Sequence, residues 1–302
     1  MVSLISPTTK VVVQGMTGKE GARASEEMIA SGINVVCGVT PGKKGTVVCE
    51  KPIYNTIAEA QKKHNHSLNT SVLYVPPLMV YDACMEAIHN NIKTIIIVTE
   101  NVPVYDTAKI IAYAREKGCI IVGPSSIGIL DTSLGKLGSI GTLQQSMYSK
   151  GNLAIISKSG GMCAETAGVL TKEGIGQSII VGIGGDQLMG TSFADLMPML
   201  EEDSNTHAIV IYGEIGGVYE EELAQYLTMR GKGKPVIAYI SGQFAEHIPR
   251  SVSLGHAGAI IENGKGTANE KKEILKKAGA YVADYHYEIP ELVKKALKEQ
   301  IK

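Results

Sequence analysis

Short aliphatic, β-branched runs recur along the chain between longer stretches of helical period. Lys10–Val13, Asn34–Val39, Ser71–Val75, Thr94–Val98 and Ile120–Val122 are almost wholly apolar. A strand that reads as a continuous apolar run is buried on both faces, which requires a parallel sheet with helices on each side. Helices are predicted between the runs, for example over Gly18–Ser31 and Met79–Asn90. Together these elements predict a first doubly wound domain closing near Pro124.

From Ser125 to Gly151 the pattern lapses into Gly, Ser, Thr and Leu with no sustained period, which reads as a linker. Strand signals resume at Leu153–Ile156, Ser178–Ile183, Ala208–Tyr212, Val236–Ile240, Ala257–Ile261 and Tyr281–Val282. The tail Glu288–Lys302 sets Ile289, Leu292, Val293 and Leu297 beside lysines, the pattern of a closing amphipathic helix. The predicted division is a doubly wound α/β domain over 1–128, a linker over 129–150 and a second parallel α/β domain over 151–302.

Composition agrees with this class and narrows the partners. The chain has 302 residues, enough for two ordinary domains, and its 34 glycines, 2 phenylalanines and no tryptophan imply tight strand-to-helix turns around an aliphatic core. The formal net charge of −1 provides no bulk attraction to nucleic acid or anionic membranes, so any bound anion must be held by local geometry. No apolar run approaches the roughly 18 residues of a membrane span. Met1–Pro7 lacks the basic start of a signal peptide, which predicts a cytoplasmic location, or the mitochondrial matrix if a transit peptide was removed. Cys37, Cys49, Cys84, Cys119 and Cys163 form no CxxC pair and are odd in number, the usage of a reducing compartment without a cysteine metal site.

Candidate chemistry gathers at the strand ends. After the first strand, Gln14-Gly15-Met16-Thr17-Gly18-Lys19-Glu20-Gly21 forms a glycine turn opening a helix, where free backbone N–H groups can hold phosphate. The plain alternative is a tight strand-to-helix turn. The second strand ends not in an acidic residue, as a nicotinamide dinucleotide ribose needs, but in Thr40-Pro41-Gly42-Lys43-Lys44-Gly45. Two lysines there suit a ligand with additional phosphates, or are simply solvated. Val98-Thr99-Glu100 ends a further strand of the same domain.

In the second half, Ser157-Lys158-Ser159-Gly160-Gly161 passes from strand to helix with Ser159 as N-cap, which either aims N–H groups and the positive dipole end at an anion or is a plain helix cap. Another strand ends at Glu214, within Gly213-Glu214-Ile215-Gly216-Gly217, where a carboxylate can fix an imidazole tautomer. His256 lies between Gly255 and Ala257, so its ring is accessible and backbone can approach it. The remaining histidines, His64, His66, His89, His207, His247 and His286, read as exposed in polar contexts. We therefore expect Glu214 to orient His256 as a nucleophile.

At these residues the chain resembles the α subunits of succinyl-CoA synthetases (succinate–CoA ligases), and more distantly ATP-citrate lyases and other NDP-forming acyl-CoA ligases. The resemblance runs from about Thr9 to Leu297. It rests on Gln14–Gly18, Gly38–Lys43, Val181–Asp186, Gly213–Gly217 and Gly255–Ile261 in one order. It implies a CoA-binding Rossmann-like domain followed by a flavodoxin-like ligase domain, with His256 phosphorylated in turnover beside Glu214. The start of the helix at Ser159, Gly160 and Gly161 would steady the phosphohistidine. Thr17, Gly18, Lys19, Glu20, Lys43, Val98, Thr99 and Glu100 would line the coenzyme A site. ATP or GTP with Mg²⁺ would bind to an ATP-grasp β subunit, in an αβ heterodimer or its dimer, and the substrate would be a small carboxylic acid.

Two positions depart from the family pattern. Gly123-Pro124 is followed by Ser125-Ser126-Ile127-Gly128 where Asn-Cys-Pro-Gly is usual, and Ala164 stands where succinate-specific members carry a tyrosine bordering the acid. The smaller side chain leaves room for a larger acid such as citrate or malate. Succinate is the leading expectation and another dicarboxylate the alternative. A CoA-binding regulatory module without ligase activity would need only the glycine turn and the lysine loop.

Overall fold

The aliphatic runs become strands because helices cover both of their faces. In a computed structural model, which describes residues 4–141, 147–244, 255–260 and 266–300, the chain forms two compact units. The described residues of 4–141 with 188–191 make the first, and those of 147–187 and 192–300 make the second. Among the described residues no helix is long and apolar enough to cross a membrane.

The first unit runs β1 (Val11–Gln14), α1 (Lys19–Ala30), β2 (Val35–Val39), β3 (Val47–Val48), β4 (Lys51–Tyr54), α2 (Ile57–Lys63) and β5 (Thr70–Leu73). It continues through α3 (Val80–His89), β6 (Thr94–Ile97), α4 (Val104–Lys117) and β7 (Ile120–Val122). The strand order is β3-β4-β2-β1-β5-β6-β7, parallel except for the β3–β4 pair at one edge. The chain winds one way from β1 to β2 and the other way from β5 onward, so the carboxyl ends of β1 and β5 flank a topological switch point. Val11–Val13 and Ile95–Ile97 are fully buried. Gly18 and Ser31, read as ends of the first helix, are its caps.

The stretch expected to be a patternless linker contains structure. β8 (Gly128–Asp131) and β9 (Gly135–Gly138) pair antiparallel, and β9 packs on α1. Its strands are short and glycine-bounded, so no alternation develops, yet Lys136 is buried with its ammonium 2.5 Å from Glu27 and 3.0 Å from the Gly141 carbonyl. Leu188–Thr191 also belongs to this unit: Thr191 Oγ1 donates to the Ile121 carbonyl at 2.6 Å.

The second unit runs β10 (Lys150–Ser157), α5 (Gly160–Lys172), β11 (Gln177–Gly182), α6 (Phe193–Glu202), β12 (Ala208–Glu214) and α7 (Tyr219–Met229). It ends with β13 (Val236–Ser241), α8 (Ala268–Lys277), β14 (Tyr281–Ala283) and α9 (Ile289–Gln300). These strands lie in the order β14-β13-β12-β10-β11, all parallel. Ile155, Ile156, Ile180, Val181 and Ile209–Ile211 fill the centre, and α9 closes it with Ile289, Val293 and Ala296 buried.

One expected strand is not formed. Of Ala257–Ile261, Ala257 and Gly258 are a turn, Ala259 and Ile260 are irregular, and Ile261 lies outside the described residues. The backbone there forms turn and loop bonds instead of a strand ladder: Ala259 N–H donates to the His256 carbonyl at 3.2 Å and Gly258 N–H to the Gly185 carbonyl, in the loop after β11, at 3.1 Å.

Candidate functional site

The sheet order brings the carboxyl ends of β11, β10 and β12 side by side, because Ser157 pairs with Gly182 on one side and Tyr212 on the other. Each end carries a part of the site. β11 leads into Gly184-Gly185, β10 into the start of α5, and β12 finishes at Glu214. Ser159 caps α5, its Oγ accepting from the Met162 N–H at 3.4 Å, and α5 begins at Gly160.

His256 reaches this edge from the loop 255–260. Its Nδ1 lies 2.7 Å from Glu214 Oε2, the contact expected from the sequence. The carboxylate is 9% exposed and the imidazole 34%, so the anion is shielded while the ring meets solvent on part of its surface. With Nδ1–H donated to a carboxylate, the basic lone pair of the neutral ring resides on Nε2. Gly185 forms the other wall: a Cβ placed there would lie 2.6 Å from His256 Cγ and 2.7 Å from Nδ1. No side chain other than hydrogen lets the ring lie against that backbone. Ala164, in the second turn of α5, is half-buried.

The other predicted cluster belongs to the first unit. Thr17–Glu20 follow β1, Lys43 lies beyond β2, and Val98–Glu100 follow β6, all at carboxyl strand ends. Gly15 adopts φ +81°, and a Cβ on it would lie 2.6 Å from the Tyr74 carbonyl oxygen, so the turn requires glycine. No side chain caps the start of α1 at Gly18. Thr17 Oγ1 donates to Thr40 Oγ1 at 3.2 Å, joining the turn to the lysine loop. The two lysines of that loop are not equivalent: Lys44 is paired with Glu59 at 2.9 Å, and no ion pair is formed by Lys43 among the described residues. Glu20 is engaged by Arg23 at 3.0 Å. Thr99 Oγ1 donates to the Val75 carbonyl at 2.7 Å, which fixes the end of β6 against β5.

Two expectations about the other histidines need correction. His64 and His286 are half-buried, not exposed, and His247 lies outside the described residues. His286 Nε2 meets Thr166 Oγ1 at 2.9 Å with its ring packed on Tyr212 and Tyr239, and burial pushes it below the ordinary imidazole range against the pull of Glu165. His64 packs against Tyr54, whose hydroxyl lies 3.2 Å from its Nε2, and the aromatic neighbours of His286 lie far from it in sequence.

Sequence reasoning missed Gly185 as the wall of the histidine and a buried ionic cluster of Lys158, Glu220 and Lys271 behind Glu214. A signal for the cluster exists in α8, whose inward face at Ala268, Lys271, Lys272 and Leu275 sets two lysines where apolar residues belong.

Comparison with known proteins finds a match in each of the two units. Residues 6–101 match the CoA binding domain family and residues 156–281 the CoA-ligase family. The ADP-forming succinate–CoA ligase subunit alpha 2 of Archaeoglobus fulgidus is 42% identical over 297 residues, covering 98% of this chain and 100% of that one. A subunit of an ADP-forming sulfoacetate–CoA ligase from Acholeplasma sp is 38% identical over 295 residues, 98% of this chain and 97% of that one. The ATP citrate lyase of Methanothrix soehngenii, solved in complex with citrate and coenzyme A, superposes with a TM-score of 0.88 at 26% identity. That match covers 97% of this chain and 50% of the lyase chain, so this chain spans about half the lyase's length.

Proposed function

The chain belongs to the succinyl-CoA synthetase alpha-subunit family of NDP-forming acid–thiol ligases, and from that premise we propose that it makes an acyl-CoA by relaying a phosphoryl group through His256. The observation that carries this reading is the 2.7 Å contact between His256 Nδ1 and Glu214 at a strand edge shared with a helix start. A thiol cannot displace oxide from a carboxylate, so the acid must first be activated. In the forward direction Nε2 of His256 attacks the γ-phosphorus of a nucleoside triphosphate and the diphosphate leaves. A carboxylate oxygen of the acid then attacks that phosphorus, the N–P bond breaks, and an acyl phosphate forms. The thiolate of coenzyme A attacks the acyl carbon and inorganic phosphate leaves.

The chain's own residues supply position and charge for these steps. Glu214 fixes the tautomer and balances the positive ring of the phosphorylated imidazole, and the N–H groups opening α5 receive the phosphoryl oxygens. Nucleotide and Mg²⁺ are assigned to an ATP-grasp partner subunit. Among the described residues no group of three or more His, Cys, Asp or Glu is arranged to hold a metal.

Coenzyme A is assigned to the first unit, with Thr17, Gly18, Lys19, Glu20, Lys43 and Val98–Glu100 as its contacts. The ion pair of Lys44 discriminates between the two loop lysines. Lys43→Ala is expected to weaken CoA binding about tenfold, the loss of one charge-assisted hydrogen bond. Lys44→Ala should change it less than about twofold, as fits an exposed, already paired side chain. Calorimetric titration of CoA into each variant checks the pair, and equal losses would overturn the assignment.

Succinate is the proposed acid. The half-buried Ala164 favours a second reading, in which the acid is larger, such as citrate or malate, and the likeness to a sulfoacetate–CoA ligase subunit adds sulfoacetate to the acids to be tried. A substrate panel with the partner subunit decides: no thioester from succinate with turnover of one of the others would replace the first reading.

Gly185→Ala tests the wall of the histidine. The added methyl forces the ring to move by about an ångström, for which a loss of up to about a hundredfold in turnover is expected with CoA binding unchanged. Turnover within twofold of the unsubstituted chain would show that the ring's seat against Gly185 is not used.

A further inference from the structure

The carboxylate that orients His256 is itself held from behind by a buried ionic cluster. Glu220, in the first turn of α7, is fully buried. Its Oε1 accepts from the backbone N–H of Glu214 at 3.1 Å. Lys158 Nζ lies 3.0 Å from the same oxygen, and Lys271 Nζ lies 2.5 Å from Oε2. Lys271 also reaches Glu221 at 3.0 Å and donates to the Gly217 carbonyl at 3.2 Å. Lys158 is 4% exposed and Lys271 fully buried.

Such a cluster is a poor source of stability. Removing charges from water is costly, and well-packed apolar side chains of similar volume often serve as well or better. Burial works against the Glu220 anion, and the two ammonium groups outweigh it and hold the carboxyl below the usual carboxylate range. Glu220 is therefore an anion at neutral pH, and the geometry of the groups around it is the feature to explain. Lys158 belongs to the β10–α5 turn that sets Ser159 and the helix start, Glu220 fixes the Glu214 backbone, and Lys271 holds the Gly217 carbonyl from α8.

We propose that Lys158, Glu220 and Lys271 are positioning residues that lock the Glu214 loop to the start of α5, so that the carboxylate behind His256 and the helix start keep a fixed spacing. This rests on the reading of His256 as the phosphoryl carrier. Glu220 acts through Glu214, so its removal matters only while Glu214 bears its charge.

A double-mutant cycle tests this, with the chain purified together with its nucleotide-binding partner subunit and labelled by γ-³²P-ATP in rapid-quench experiments. Glu220→Gln is expected to slow labelling at least about tenfold. In a Glu214→Gln background the same change should slow it by less than about twofold, because the function it supports is already gone. The KM for CoA should be unmoved in both. Equal slowing in the two backgrounds would reveal a general loosening of the unit and overturn the proposal, as would no slowing in the first. Should Glu220→Gln fail to fold, Lys158→Met, which leaves Glu220 paired with Lys271, replaces it in the cycle with the same expected pattern and the same overturning results. Absence of label on the unsubstituted complex would remove the phosphohistidine reading itself, and the proposal with it.

Discussion

Replacing His256 by asparagine should abolish the phosphorylated intermediate and reduce turnover by at least about 10⁴-fold, in the range seen when a covalent nucleophile is removed. The amide of asparagine has no basic nitrogen lone pair, so no N–P bond can form. The substitution leaves the fold alone, because the histidine side chain is 34% exposed on a loop whose backbone bonds do not involve its ring. Incubation with γ-labelled nucleotide and the partner subunit provides the measurement. The unsubstituted chain should carry label that is lost in acid and survives base, the signature of a phosphoramidate, distinct from the base-labile phosphate of a carboxylate and the acid-stable phosphate of a serine. Label of the same stability on His256→Asn would assign the intermediate to another residue. His286, hydrogen-bonded to Thr166 and packed on Tyr212 and Tyr239, would be the first histidine to test.

The core strands were readable because a parallel sheet covered on both faces needs no alternation, only aliphatic runs, and Thr94–Ile97 and Ala208–Tyr212 are such runs. The same rule fails at Ala257–Ile261, where aliphatic residues follow a glycine that turns at φ +92° and the backbone bonds back to Gly185. It fails in the other direction at β8 and β9, four-residue strands that carry glycine at their ends and bury a lysine. The His256–Glu214 pair could be read because both residues sit in small-residue contexts at strand ends, where open α/β sheets assemble their sites. Glu220, Lys158 and Lys271 could not be read so directly. Glu220 and Lys271 stand beside other charges, which read as a solvated face, and only the packing of α7 and α8 turns them inward; Lys158 is a single charge in a Ser/Gly turn, with nothing in its neighbours to mark it as buried.

The second large effect is expected at Glu214. Glu214→Gln keeps the shape of the side chain and removes its charge, and labelling of His256 should slow by about 10² to 10³-fold while folding and CoA affinity stay within about twofold. Two physical causes act in the same direction. Transfer of the phosphoryl group to Nε2 leaves the ring positive, and a carboxylate 2.7 Å from Nδ1 that is only 9% exposed stabilises that charge with little screening by water. The amide, in addition, can turn its NH₂ toward Nδ1, which places the ring proton on Nε2 and removes the lone pair that must attack. Rapid-quench labelling separates this from a binding defect: the rate at saturating nucleotide should fall, whereas the nucleotide concentration giving half that rate should not. If labelling is unchanged and only the KM for the acid rises, Glu214 faces the carboxylic acid and His256 is oriented by another group.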